Sequence, residues 1–302
     1  MPIFKKKYIL EKDIVKFEIK DLVANKVDNF YTEAPFPNYQ IEDNKYIINK
    51  KGDNNFLARN FKKFIGFNKT VLEVGCGTGQ LANYFAIGTN NKVVGLDSTN
   101  YSLQLASRFS KKEDIKNITF VNADILDDVL KDDVFDFIWC NGVLHHTKNP
   151  YAAFEILLKS LKKNGYLLVG LYNKYGRLRT LIRRFLYKIF GERVIYLLDP
   201  VIRNIKKKSK EQTRSWIRDQ YIHPVESMHT FDEVLNWFNK NEIEYINALP
   251  SFDFETSFEI DLFKKANKGN IFTRFFNQIL MIFNSYGNDG GLFIVIGKKK
   301  DV

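Results

Sequence analysis

From residue 70 onward two hydrophobic periods alternate along the chain. Residues 70–75, 91–97, 118–124, 135–144 and 166–173 are short runs in which most positions are apolar. Between them, at 80–85, 101–109 and 150–165, apolar residues recur every three or four positions. Runs of the first kind suit strands buried on both faces, and helices of the second kind supply the cover, so the pattern predicts a mostly parallel sheet with helices on both faces. Proline at 150 and glycine at 165 bracket the last of these helices. A further helix is predicted at 230–239, where Thr230 stands three residues before Glu233 as a capping box requires. A sixth strand follows at 244–249, and an apolar run at 290–300 makes a seventh.

Three segments depart from this rhythm. Residues 1–69 form an arm: 7–19 alternates as a strand or hairpin would, and 54–65 carries Leu57, Phe61, Phe64 and Ile65 on one helical face. Between them, 29–39 is an aromatic, proline-rich loop whose Tyr31, Phe36 and Tyr39 suit a lid. Residues 174–229 read as basic amphipathic helices and 251–286 as an aromatic insertion. The predicted organisation is an N-terminal arm and lid at 1–69, then a domain at 70–302 in which both insertions build a cap.

The first strand runs into "VLEVGCGTGQL", residues 71–81, and a glycine loop between a strand and a helix cradles a nucleotide. A dinucleotide fingerprint would need a third glycine where Gln80 stands, and a phosphate-binding loop would need a lysine after Gly79. The spacing Glu73, Gly75, Gly77, Gly79 suits a ligand whose backbone-facing part is a zwitterionic amino acid, because the glycines allow close approach and Glu73 attracts an ammonium. Asp97 ends the second strand, 22 residues after Gly75, where an acid accepts ribose hydroxyls. Asp124 ends the third, where a carboxylate takes an adenine amino group.

With these motifs the chain resembles the class I S-adenosylmethionine-dependent methyltransferases, of the small-molecule and ubiquinone-biosynthesis kind. "VLEVGCGTG", "VVGLD", "VNADI", "FDFIWCNGVLHHTKNP" and "LKKNGYLLVGLYN" match that family's successive motifs in order, over residues 50–173 and again in the final strands. The resemblance implies a Rossmann-like, mostly parallel seven-stranded sheet with a helical cap insertion. It assigns the methionine part to Glu73, Gly75, Gly77 and Gly79, the ribose to Asp97 and the adenine to Asp124 and Ile125, with Cys76 and Ser98 also at the cofactor. Asn141 and Val143 would line the site near the methyl group, and S-adenosylhomocysteine would be the product.

Methyl transfer from a sulfonium needs alignment more than acid–base machinery, and a base helps when the acceptor is a hydroxyl or an acidic carbon. His145 and His146, after the fourth strand, read either as that base or as rings that shape the pocket floor. In "DQYIHPVESMHT", residues 219–230, Tyr221, His223 and Glu226 are candidates for the acceptor site, against a reading as a polar hinge. Two cysteines and four histidines offer no metal-ligand spacing, so no metal is expected.

Charge changes the picture in one place. Residues 174–218 hold 14 of the 46 basic and 3 of the 35 acidic residues, so the remaining chain carries 32 of each and the net +11 belongs to this segment. Because the segment is apolar as well as basic, it suits an anionic membrane surface or an amphiphilic acceptor, and the aromatic insertion suits an apolar pocket for that acceptor. The expected function is methyl transfer to a small or lipid-like acceptor. An RNA methyltransferase using the basic cap, or a non-catalytic S-adenosylmethionine-binding protein, are the alternatives. The start of the chain has no apolar stretch of the signal-peptide kind and the two thiols read as free, which predicts a cytoplasmic protein, peripheral at the inner membrane face where the cap attaches.

Overall fold

In the structure, a computed structural model, residues 3–33, 35, 37–204, 210–252, 261–283 and 290–301 are described. Among these, nine strands form one sheet: β1 (Ile9–Glu11), β2 (Ile14–Lys16), β3 (Thr70–Val74), β4 (Lys92–Asp97), β5 (Ile118–Asn122), β6 (Phe135–Asn141), β7 (Leu161–Tyr172), β8 (Ile243–Leu249) and β9 (Leu292–Lys299). Their spatial order is β1-β2-β5-β4-β3-β6-β7-β9-β8. The run from β2 to β7 is parallel, while β9 lies antiparallel between β7 and β8.

The strand count corrects the expected seven. The hairpin in the N-terminal arm does not stand apart from the sheet: Ile14 and Val15 are buried, and β2 pairs in parallel with β5 through Ile14–Phe120 and Val15–Val121. Without it β5 would be an exposed edge, with a row of unpaired backbone groups.

Adjacent residues of the central strands face opposite cores, as the two-residue period demands. Val71 and Val93 join Phe61, Phe85 and Leu103 on one side, under α3 (Phe56–Ile65), α4 (Gln80–Ala86) and α5 (Asn100–Lys112). Leu72 and Val94 join Phe154, Leu157 and Phe238 on the other, under α6 (Pro150–Ser160) and α11 (Phe231–Lys240). Thr230 caps α11 by accepting the Glu233 N–H at 3.2 Å. The α6 helix stops five residues short of Gly165, because Leu161 already pairs with Phe135 and draws the chain into β7.

The arm holds more helix than its sequence suggested. α1 (Leu22–Glu33) runs into the aromatic loop, and α2 (Lys45–Asn54), capped by Asn44 on the N–H groups of Tyr46 and Ile47, precedes α3. Between β7 and β8 the chain forms α7 (Leu178–Phe190), α8 (Glu192–Leu198), α9 (Pro200–Asn204), α10 (Lys210–Ile217) and a π-helical turn at Arg218–Ile222. In the second insertion, α12 (Ile271–Leu280) points its phenylalanines outward: Phe272 is 80% exposed. They therefore do not wall an apolar pocket as expected. Of that insertion, 253–260 and 284–286 lie outside the described residues, as does Phe36.

Gly79 shows how tightly the layers meet. It starts α4 in the left-handed region at φ 70°, and a Cβ there would lie 2.7 Å from the Ala106 Cβ and 2.8 Å from the Phe120 ring. Gly79→Ala is expected to cost about 2–5 kcal/mol, combining left-handed strain with overpacking. The midpoint of urea unfolding measures this, and an unchanged midpoint would refute the packing argument.

Candidate functional site

Strands β3, β4 and β5 end side by side, and the loop after β3 turns back over their ends. Gly75 and Gly77 hold positive φ, 65° and 51°. A Cβ on Gly75 would fall 2.4 Å from Val143 Cγ2, so the loop and the β6 end touch only because that atom is absent. The Asp97 carboxylate anchors the arrangement: Gly77 N–H donates to Oδ2 and Thr99 N–H to Oδ1, both at 2.7 Å. One side chain thereby fixes the glycine loop and the turn into α5.

These strand ends form the floor of a cavity of about 500 Å³. Glu73, Gly75, Cys76, Gly77, Asp97, Ser98, Asp124, Ile125, Asn141 and Val143 all line it, whereas Gly79 lies behind the wall among α5 and β5. Glu73 Oε2, Asn141 Oδ1 and Gln80 Nε2 are buried without a hydrogen-bond partner, and all three residues line this cavity. Buried polar atoms are almost always paired, so three unpaired ones around one cavity describe the complement of a polar ligand. Burial, with the Asp97 charge nearby, pushes the Glu73 carboxyl well above its usual pKa, although a backbone hydrogen bond from Ala82 opposes this. Burial likewise raises Asp97 and Asp124 against their backbone hydrogen bonds, and it keeps the Cys76 thiol protonated. The donor set fits S-adenosylmethionine. Glu73 and the glycine loop would hold its amino-acid part, Asp97 the ribose and Asp124 the adenine. Among the described residues no group of three metal-ligating side chains occurs.

The roof comes from the arm and the cap. Val23, Ala24, Val27 and Tyr31 of α1 line the cavity from one helical face, and Trp216, Asp219 and Gln220 line it from the cap. The two parts clasp: Tyr31 OH donates to Asp219 Oδ1 at 2.7 Å, and Arg218 pairs with Glu33 at 2.8 Å. Tyr39 instead stacks on Phe109 at 4.5 Å and does not line the cavity.

The other predicted acceptor-side residues separate by depth. His146 lines the cavity, with Nδ1 2.7 Å from the Val225 carbonyl and Nε2 3.1 Å from His145 Nε2. His145 lies fully buried behind it, its ring 4.0 Å from that of Tyr172. Burial lowers both imidazoles and leaves them neutral at pH 7. His223 stacks on His146 at 3.7 Å between rings, and burial together with His146 pushes it down to about 2. Tyr221 turns away and donates to Asp199 Oδ2 at 2.7 Å.

Glu226 sits behind the wall in an ion-pair network. Burial would raise its carboxyl, but Arg177 at 2.8 Å and Arg184 at 2.6 Å overcome that and hold it below its ordinary value. Arg177 is completely buried. It stacks 3.6 Å over the Tyr172 ring and donates to Gln220 Oε1 at 2.6 Å, so it holds two cavity residues in place.

Sequence reading missed Asp219 and Gln220, although the signal was present. Trp216, Asp219 and Gln220 are spaced i, i+3, i+4, one helical face, and the helical turn continues through Ile222, into the stretch also readable as a polar hinge. Gly170 gave no signal at all: a Cβ there would fall 1.7 Å from Asn141 Oδ1.

A family model described as "Methyltransferase domain" matches residues 65–247. A ubiquinone biosynthesis O-methyltransferase from Glaesserella parasuis is 30% identical over 122 residues, which are 38% of this chain and 50% of that protein. A sterol 24-C-methyltransferase from Aspergillus fumigatus is 28% identical over 103 residues, 34% of this chain and 27% of that one. The chain thus spans about half the length, or less, of these curated relatives. In fold it is similar to PKMT2 from Rickettsia typhi, whose solved structure is a complex with AdoHcy: TM-score 0.55, 18% identity, 81% of this chain and 52% of that one. The matched model covers β3 through most of β8, the span that builds the cavity floor and the cap wall. The chain belongs to the methyltransferase-domain family and is a class I, S-adenosylmethionine-dependent member of it.

Proposed function

We propose that the protein transfers a methyl group to the hydroxyl of an amphiphilic small molecule. When bound, S-adenosylmethionine supplies an electrophilic methyl carbon on a sulfonium, so the acceptor oxygen needs alignment and must lose one proton. The observation that carries the reading is Asp219, the one carboxylate at the cap end of the cavity among its described lining residues. Tyr31 OH and Gln220 Nε2, at 2.7 and 2.9 Å, each donate one bond to it and fix its position, leaving lone pairs for an acceptor hydroxyl. Both nitrogens of His146 are already engaged, so in this reading its ring is a wall against which the acceptor packs. Trp216 and Val143 supply apolar contact beside it, and the hydrogen bond of Tyr31 to Asp219 holds the arm against the cap over the site. The ubiquinone O-methyltransferase and sterol C-methyltransferase relatives support an acceptor with a large apolar part.

Transfer of labelled methyl to a panel of hydroxyl, amine and RNA acceptors tests the class. Turnover confined to amines or RNA would refute it. Within an active assay, Asp219→Asn is expected to lower kcat about 10²-fold or more, while S-adenosylhomocysteine affinity stays within about twofold. An unchanged kcat would show that Asp219 only holds the lid.

Asp97→Ala removes the ribose acceptor and also frees the Gly77 and Thr99 N–H groups, so affinity for S-adenosylhomocysteine should fall about 10²-fold or more. Calorimetry measures it, with a thermal melt to confirm folding. Unchanged affinity would mean that the ribose lies elsewhere.

Cofactor affinity should also depend on pH. A carboxyl with a raised pKa is neutral below that pKa and cannot attract the ammonium, so affinity rises as pH rises through it and protons are released on binding. Calorimetry in two buffers of different ionisation enthalpy counts those protons. In Glu73→Gln the release should disappear, and a release that persists would assign it to another group.

A further inference from the structure

Two helices of this protein turn polar residues inward and present phenylalanines to solvent. In α7, Arg177 just before the helix, Thr180 and Arg184 turn inward to the Glu226–Gln220 network, while Ile182, Phe185, Ile189 and Phe190 face solvent at 51–64% exposure. In α12, Arg274 pairs with Asp232, and Asn277 and Gln278 are buried; Gln278 accepts from Asn173 at 2.9 Å and from the Phe231 N–H at 3.1 Å. Its outer face carries Ile271, Phe272, Phe275 and Phe276 at 50–80% exposure, and Phe283 just beyond the helix is 72% exposed. The two outer faces adjoin: Tyr175 packs on Phe275 at 5.6 Å, and Arg179 donates to the carbonyls of Ile282 and Phe283. A single exposed leucine needs no explanation, but two helices that spend their polar residues on the interior to present phenylalanine to water do.

We infer that this joint face of α7 and α12 docks on an anionic lipid bilayer. The inference stands apart from the hydroxyl-acceptor reading, since it rests on the outer surface alone. Charge chooses the occupant. Around the apolar side chains Lys174, Arg179, Lys188, Arg193 and Arg203 are exposed, against one exposed acid, Glu192, among the described residues of 174–204. A basic rim around an apolar face matches anionic headgroups above acyl chains. A two-fold pairing of this face with a second copy would set the cationic rims against each other. None of these apolar side chains lines the large cavity. No helix among the described residues is long and apolar enough to cross a membrane, so the contact is with the surface.

The face also has a fixed relation to the site. α7 packs on the π-helical turn that carries Asp219 and Gln220, and a small cavity beneath α7 shares Trp216 and Gln220 with the large one. The bilayer contact therefore lies over the acceptor end and away from the cofactor loop.

Flotation of the full chain with vesicles tests this. Vesicles of phosphatidylglycerol and phosphatidylcholine should retain the protein at low salt, and pure phosphatidylcholine vesicles should retain far less. The paired variant Phe185→Glu with Phe272→Glu, both sites exposed, is expected to lower the bound fraction about tenfold, and so is Lys188→Glu with Arg193→Glu. Both should keep the wild-type melting temperature and S-adenosylhomocysteine affinity. The inference is overturned by no retention on anionic vesicles at low salt. It is equally overturned if the phenylalanine pair leaves retention unchanged, which would mean adhesion by charge alone, as would RNA binding without vesicle binding. A concentration-dependent dimer abolished by the phenylalanine pair, with no vesicle binding, would assign the face to a second copy.

Discussion

The Asp97 carboxylate is the tie on which the site depends. Its two oxygens accept the N–H groups of Gly77 and Thr99, so the end of β4 sets both the loop that leaves β3 and the start of α5. The neighbouring ladder follows the same junction: Cys76 N–H donates to the Leu96 carbonyl, and Ala123 N–H to that of Asp97. Three strand ends are thereby held in register, and their acids point into one buried space. The cost is electrostatic, since Glu73 and Asp97 share that space and burial raises both. A ligand that brings a positive charge and hydroxyl donors relieves it.

A second buried network does for the cap what Asp97 does for the floor. Arg177 and Arg184 share the Glu226 carboxylate, and Arg177 also grips Gln220 and covers Tyr172. Such a network is weak evidence for stability, because desolvating three charges offsets most of their attraction. Its consequence is geometric. Gln220 and, through it, Asp219 are held at the cavity, where α1 reaches them with Tyr31. With the inner faces of α7 and α12 shared by buried polar residues, Phe185, Ile189 and Phe190 of α7 and Phe272, Phe275 and Phe276 of α12 are left on the outside.

Much of the site was legible in the chain because its cofactor half is local. Glu73, Gly75 and Gly77 are near neighbours, and Asp97 and Asp124 end strands that the hydrophobic runs mark clearly. The cap side of the cavity is not local. Asp219, Tyr31 and Tyr172 stand on three separate elements, and no spacing links them. Within the cap, Tyr221 and Glu226 were the candidates and Asp219 was passed over, because only the direction of each side chain separates them. The hairpin was readable as a hairpin, but its pairing with β5 was not, because a strand pattern does not name its neighbour.

Hydrophobic period and glycine spacing by themselves determined a doubly covered parallel sheet and a glycine loop, since each depends on residues within one strand–helix unit, whereas the class of donor came from the resemblance that five ordered motifs carry. Tertiary structure decided the rest: nine strands in one sheet, the clasp of arm on cap, and the outward phenylalanines of α12. These depend on which surfaces meet. An amphipathic helix presents the same sequence whichever face it buries, and here the bonds of buried Gln278 to Asn173 and to the Phe231 N–H hold the polar side inward.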